Sequence, residues 1–212
     1  MLHQLCLRQV EEGEAALRTL LRIRGRGVLK TILGLIEKGD AKLRVQAIKL
    51  LCLRDERRAV DKLLRIASKE MNDAVRKEAI VAVGTLGRAK ELTELLKLLF
   101  ETEKQEDKPV IKAALESCLK RIKSPAAGAK YLLKALKGAP AAEKPFLIEL
   151  LSHCPTSRSY AAIIDALHDQ NLKISLAASR ALSRWPSARP AEELWKVFNE
   201  TASRELKEEA LK

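Results

Sequence analysis

The feature that most constrains this chain is an apolar stripe that returns at nearly constant spacing. It reads i, i+3, i+4, i+7 and occurs six times: Leu29/Ile32/Leu33/Ile36, Val60/Leu63/Leu64/Ala67, Leu92/Leu95/Leu96/Leu99, Ala129/Leu132/Leu133/Leu136, Tyr160/Ile163/Ile164/Leu167 and Ala191/Leu194/Trp195/Phe198. Successive copies begin 31, 32, 37, 31 and 31 residues apart. Residues three and four apart share one face of a helix, so each copy predicts an amphipathic helix. A second stripe alternates with the first, as Leu43/Ala47/Leu50/Leu51, Val75/Ala79/Ala82/Val83/Leu86, Val110/Ala114/Ser117/Cys118, Leu147/Leu150/Leu151/Cys154 and Ile174/Ala178/Ala181/Leu182/Trp185. No helix pair of this size can bury its apolar face alone. Fixed-period self-similarity therefore predicts a solenoid, in which neighbouring pairs cover one another.

The clearest unit is Asp73 to Leu99, DAVRKEAIVAVGTLGRAKELTELLKLL. Asp73 is placed to accept hydrogen bonds from the free N–H groups of the first helix. Gly84 and Gly87 are expected to let that helix stop. The run D-A-V-R-K-E-A-I-V-A-V-G-T-L-G at 73–87 resembles the HEAT-repeat pattern in its bilin-lyase-like variety, with Asp, Val-Arg, Ala and Gly in place. Asp40, Leu43-Arg44 and Ala47 match it more loosely, and RALSRWPSARPAEELWKVFNETASRELKEEAL is similar to the last repeats of large bacterial HEAT-repeat proteins of unassigned function. The resemblance implies an all-α, right-handed α-solenoid of about six helix pairs. It also implies that Leu92-type helices are outer and that Val75-type helices line a concave side.

The units fall at about 1–23 (partial), 24–54, 55–87, 88–123, 124–155, 156–186 and 187–212 (incomplete), separated by turns rich in Gly, Pro or charge. They are expected to form one continuous repeat domain, a fragment of a longer chain. The segment Glu101 to Pro109 accounts for the 37-residue spacing and reads as a solvated insertion. Apolar residues make up 47% of the chain and aromatics only 3%, which suits Leu/Ala helix packing. No apolar run approaches the roughly 18 residues of a membrane span, and MLHQLCLRQVEEGE lacks the charged-then-apolar layout of a signal peptide. Cys6, Cys52, Cys118 and Cys154 show no CxxC pair and read as small reduced fillers, which with the absence of disulfide clustering places the chain in the cytoplasm by default.

Catalytic signatures are missing. His3, His153 and His168 form no HExxH, no Cys/His spacing suits zinc, and neither GxSxG nor a P-loop occurs. His153 and Cys154 are adjacent, but neighbours in a helix point about 100° apart. Arg24-Gly25-Arg26-Gly27 follows no strand and is a turn. Two enzyme families built on HEAT-like repeats, DNA alkylation glycosylases and bilin lyases, form the third functional reading. Against it, Trp185 and Trp195 both fall on apolar stripes and are expected in the core. No cofactor and no metal is expected.

Charge is distributed unevenly. The net charge is +12, and the turns between units hold fourteen bases against Asp55 and Glu56 alone. The principal ones are Arg54, Arg57, Arg58, Arg88, Lys90, Lys120, Arg121, Lys123, Arg184 and Arg189, joined by Arg22, Arg24, Arg26 and Arg158. Turns within units hold nine bases and twelve acids. The basic turns would form a rim able to track phosphates or an acidic protein, or they serve only to satisfy carbonyls at helix C-termini. Residues two, six and nine beyond each Val75-type position are expected to face outward on the concave side. The candidate contacts on that face are Lys49, Lys77, Val81, Lys112, Glu116, Glu149 and Arg180, and the same rule also puts Val45, Cys52, Gly84, Leu119, Pro145, Ser152, Leu176 and Ser183 there. The mixture suits a peptide or protein groove, and its few aromatics suit base stacking poorly. The leading reading is a non-catalytic protein-binding scaffold that uses this face, the rim or both. The alternative is nucleic-acid binding through the rim. No membrane partner is expected, and nothing in the sequence specifies an oligomeric state.

Overall fold

Six of the helices begin where a capping side chain (Asp40, Asn72, Thr156 or Asn171) or a proline (Pro125 or Pro145) meets the apolar stripe. In the computed structural model, which describes residues 19–23, 27–201 and 203–210, every element of regular structure is helical. Contacts divide the chain into two compact units, one ending at Cys118 and the other beginning at Leu119.

The first unit contains α1 (Gly27–Lys38), α2 (Ala41–Leu53), α3 (Val60–Lys69), α4 (Asp73–Leu86), α5 (Glu91–Glu101) and α6 (Lys108–Lys120), whose last two residues pass into the second. Helix α4 packs on α2 and on α3, and α1 packs on α2, so Val75-type and Leu92-type helices form two layers. All five stripe residues of α4 and all four of α5 are buried. In α6 the stripe is displaced by one residue. Ile111, Ala114, Leu115 and Cys118 are buried, whereas Val110 and Ser117 are only half-buried.

Two details depart from the sequence reading. Asn72, not Asp73, caps α4, accepting from the Val75 N–H at 3.2 Å. The helix also runs straight through Gly84 and ends at Gly87. Gly84 is there for space: a Cβ on it would lie 2.6 Å from the Cα and 2.7 Å from the carbonyl oxygen of Ala114 on α6.

The long loop is solvated only in part. A 3₁₀ turn at Gln105–Asp107 brings Asp107 into the interior, 2% exposed, against Arg76 at 4%. Arg76 Nε donates to Asp107 Oδ2 at 2.6 Å, and its other nitrogens reach Asp73 Oδ1 at 2.7 Å and the Glu70 carbonyl at 3.0 Å. One arginine thus holds the start of its own helix and the start of the next helix of the same layer. Arg44 on α2 makes the corresponding ion pair with Glu70 and also donates to the Ile36 carbonyl at 2.8 Å.

The Arg44 guanidinium, followed by the Asn72 N–H, holds the Glu70 carboxyl below its ordinary value of 4.5. A depressed carboxylate stabilises the fold above the unfolded pKa, and that contribution disappears as pH falls through the lower folded value. Glu70→Gln should therefore lower stability at neutral pH and show a shallower loss below about pH 4.5 than the parent. Urea melts between pH 3 and 7 read this directly, and parallel acid limbs would refute it.

The second unit contains α7 (Pro125–Gly138), α8 (Lys144–Leu151), α9 (Ser157–Leu167), α10 (Leu172–Ser183), α11 (Ala191–Glu200) and α12 (Arg204–Ala210). Helix α10 packs on α8 and α12, while α7, α9 and α11 make the second layer. Cys154 lies beneath Gly128, where a Cβ would stand 2.5 Å from its sulfur, and burial pushes the thiol up to about 11. Trp185 is half-buried and meets Tyr160 edge-on at 5.4 Å. Trp195 does not join the core. It is 59% exposed and stacks on Phe198, because α11 turns Val197 inward instead.

Candidate functional site

The bases of the inter-unit turns are largely engaged by their own surroundings. In the first unit, Arg54 Nη1 donates to the carbonyls of Leu20, Leu21 and Ile23 at 2.8, 3.3 and 3.1 Å. That is carbonyl satisfaction at a helix C-terminus. Asp55 sits at φ 48°, which turns the chain sharply and brings its carboxylate 3.0 Å from Arg57. Arg58 meets Glu56 at 3.1 Å, and Lys90 meets Glu91 at 3.3 Å. Arg88 is exposed while its backbone N–H donates to Glu91 Oε2 at 2.7 Å, closing the turn before α5.

In the second unit, Lys120, Arg121 and Lys123 are exposed. Arg189 lies over the Tyr160 ring at 4.0 Å, a cation–π contact. Arg184 reaches Glu149 at 3.8 Å. The residues Arg24 and Arg26 fall outside the described residues, as do His3 and Cys6.

A phosphate-binding surface needs cations that can exchange salt ions for phosphates, and here acids, carbonyls and a ring already hold several of them. Affinity for duplex DNA no tighter than about 100 µM is expected near physiological salt, the weak end of non-specific binding. Fluorescence anisotropy on a labelled duplex checks it, and micromolar binding would restore the rim as a nucleic-acid surface.

The Val75-type faces present a different pattern, in which charges are paired from one helix to the next of the same layer. In the first unit Lys49 on α2 lies 3.7 Å from Glu78 on α4, whose carboxyl burial pushes up and Lys49 draws down. Lys77 lies 3.9 Å from Asp107. Between them, one turn on from Lys77, Val81 is 45% exposed. In the second unit Arg180 on α10 joins Glu149 on α8 at 3.4 Å and Glu209 on α12 at 3.5 Å.

The outward assignments nine residues along their helices differ from the expectation. Gly84, Leu119 and Ser152 are buried, whereas Lys112 and Glu116 are half-buried, as Lys77, Glu149 and Arg180 are. A position nine residues along a helix has rotated by 900°, half a turn from the start. Curvature and close contacts such as Gly84 against Ala114 then decide whether it is covered. Sequence reasoning also missed Glu78 and Glu209, acids whose only sequence signal is their place one helix after a basic outward residue.

Among the described residues no three His, Cys, Asp or Glu side chains converge as metal ligands would, and no helix is long and apolar enough to cross a membrane. Layers of paired helices, each covering the next, define the α-solenoid repeat class. Residues 28–120 match the family model for HEAT repeats, so that stretch of the chain is similar to HEAT repeats. No curated protein matches the chain.

Proposed function

We propose that the protein is a non-catalytic binding module whose partner is another protein, engaged along the Val75-type layer. The observation that carries this reading is the exposed face of α2 and α4. There an apolar residue, Val81, stands among helix-to-helix charge pairs. Apolar contact surrounded by oriented charge is how protein interfaces obtain affinity and register together. Repeat proteins use the extended faces that stacking creates in this way.

The test is site-specific photo-crosslinking in the native cell. A benzophenone side chain at Val81 should give a discrete protein adduct. The same probe at Met71, 82% exposed in the turn before α4, should not. Equal labelling from both positions, or a nuclease-sensitive adduct, would overturn the reading.

A further inference from the structure

On the other layer of the second unit, α7 and α9 leave an open groove of about 850 Å³. Its floor is apolar, made by Ala126, Ala129, Leu133 and Leu136 of α7 with Ala162 of α9. Lys130, Lys134 and Lys137 stand along one bank, spaced four and three residues apart and thus on one edge of α7. Arg158 stands on the α9 side, with Asp165 as the single acid. All four bases are exposed, and none makes an ion pair with a described residue.

The first unit contains the corresponding groove between α3 and α5, and it is a useful contrast. Its volume is about 230 Å³, and Arg65, Lys97, Glu94 and Glu101 balance one another there. Leu64 and Leu98 line that groove, whereas the wider one sets Ala126, Ala129 and Ala162 beside Leu133 and Leu136. The small floor residues open the space, and four bases against one acid leave it with an excess of positive charge. Both changes occur in the same groove.

We propose that this groove is a docking site for an acidic amphipathic helix of a partner protein. The site is distinct from the Val75-type face and does not depend on it. Charge complementarity selects the occupant: leucines of the partner helix enter over Ala129 and Leu133, and its glutamates or aspartates meet the lysine row and Arg158. Length agrees as well. From Ala126 to Lys137 the groove runs about 16 Å, three turns of helix at 1.5 Å per residue. That length seats anchors at i, i+3 or i+4, and i+7. An open trough of this form suits a helix better than an enclosed small molecule, which buries most of its surface in its pocket.

The probe is a fluorescein-labelled peptide with leucines at i, i+3, i+4 and i+7 and glutamates elsewhere, measured by anisotropy against the full chain. A Kd of about 10–100 µM is expected from so short a contact. It should weaken at least tenfold in the Lys130→Glu/Lys134→Glu/Lys137→Glu variant. That variant alters only exposed side chains, so its melting curve should match the parent's. A lysine version of the peptide should bind that variant and not the parent. Leu133→Glu should weaken the acidic peptide by a similar factor, while Val81→Asp should leave it unchanged. Failure here therefore does not bear on the Val75-type face. Undiminished binding to the triple variant, or no binding to the parent at about 500 µM, would overturn the proposal. So would groove-dependent binding to vesicles of equal phosphatidylcholine and phosphatidylserine with no binding to the peptide, which would make the surface a membrane contact.

Discussion

Replacing Asp107 with alanine is expected to cost the first unit about 3–5 kcal/mol, because it takes from the buried Arg76 guanidinium its one buried counter-ion. Arg76 is 4% exposed, and two of its hydrogen bonds end on Asp107, at 2.6 and 3.3 Å. Asp73 and the Glu70 carbonyl remain as partners, so the lower half of that range is the better expectation. A drop in Tm of roughly 10–20 °C should accompany it. The double variant Arg76→Met/Asp107→Leu tests the cause, since removing both charges from a buried pair is often close to neutral. It should recover most of the loss. If Asp107→Ala melts like the parent, the acidic loop is solvated after all and the turn at Gln105–Asp107 is not a fixed element.

Gly84→Ala is expected to destabilise by about 2 kcal/mol, whereas Gly34→Ala should stabilise by about 0.5–1 kcal/mol. Both glycines lie inside helices, and alanine improves each helix by nearly the same amount. The difference is what the new methyl meets. At Gly34 nothing lies within 4 Å, but at Gly84 the backbone of Ala114 lies at 2.6 Å and cannot rotate away. Helices α4 and α6 must part by nearly an ångström, which loosens every contact between them. Chemical denaturation of the two variants reads the signs directly. Stabilisation at both positions would mean that α4 and α6 do not approach as closely as described.

Much of this fold is legible in the amino-acid pattern. The Val75 and Leu92 stripes are buried at every position, because both helices are covered on their apolar sides and a 3.6-residue period is then a faithful record. The period fails where a single long-range contact sets the register. Asp107 anchors the start of α6, and the buried row begins at Ile111 rather than Val110. No local pattern announces an ion pair between residues 31 positions apart, so an acidic loop looked like a solvated one. Trp195 lay on a stripe by spacing, yet Val197 faces inward. Of the candidate surfaces, the basic turns were visible as composition. That Arg54 serves three carbonyls, and Arg189 a ring, depends on partners 29 to 34 residues away. The groove between α7 and α9 left only a trace, the small residues of PAAGA at the start of α7, since a groove is made by what two helices lack.

The Arg76–Asp107 contact also divides the polypeptide between α5 and α6 into a stretch that counts residues and a stretch that does not. From Asp107 onward the chain is in frame with Arg76. Removing one residue between Asp107 and Ile111 would turn the apolar row of α6 by about 100° away from its neighbours. Ahead of the 3₁₀ turn, between Thr102 and Lys104, the chain has only to span the gap. Loop closure there depends weakly on length, at roughly 0.6 kcal/mol for each doubling. Repeat length can therefore drift on the upstream side of the acid without altering how the helices stack, and the 37-residue spacing among values of 31 and 32 has the form of such a drift. An epitope or a fluorescent tag intended to leave the first unit intact belongs in those three residues.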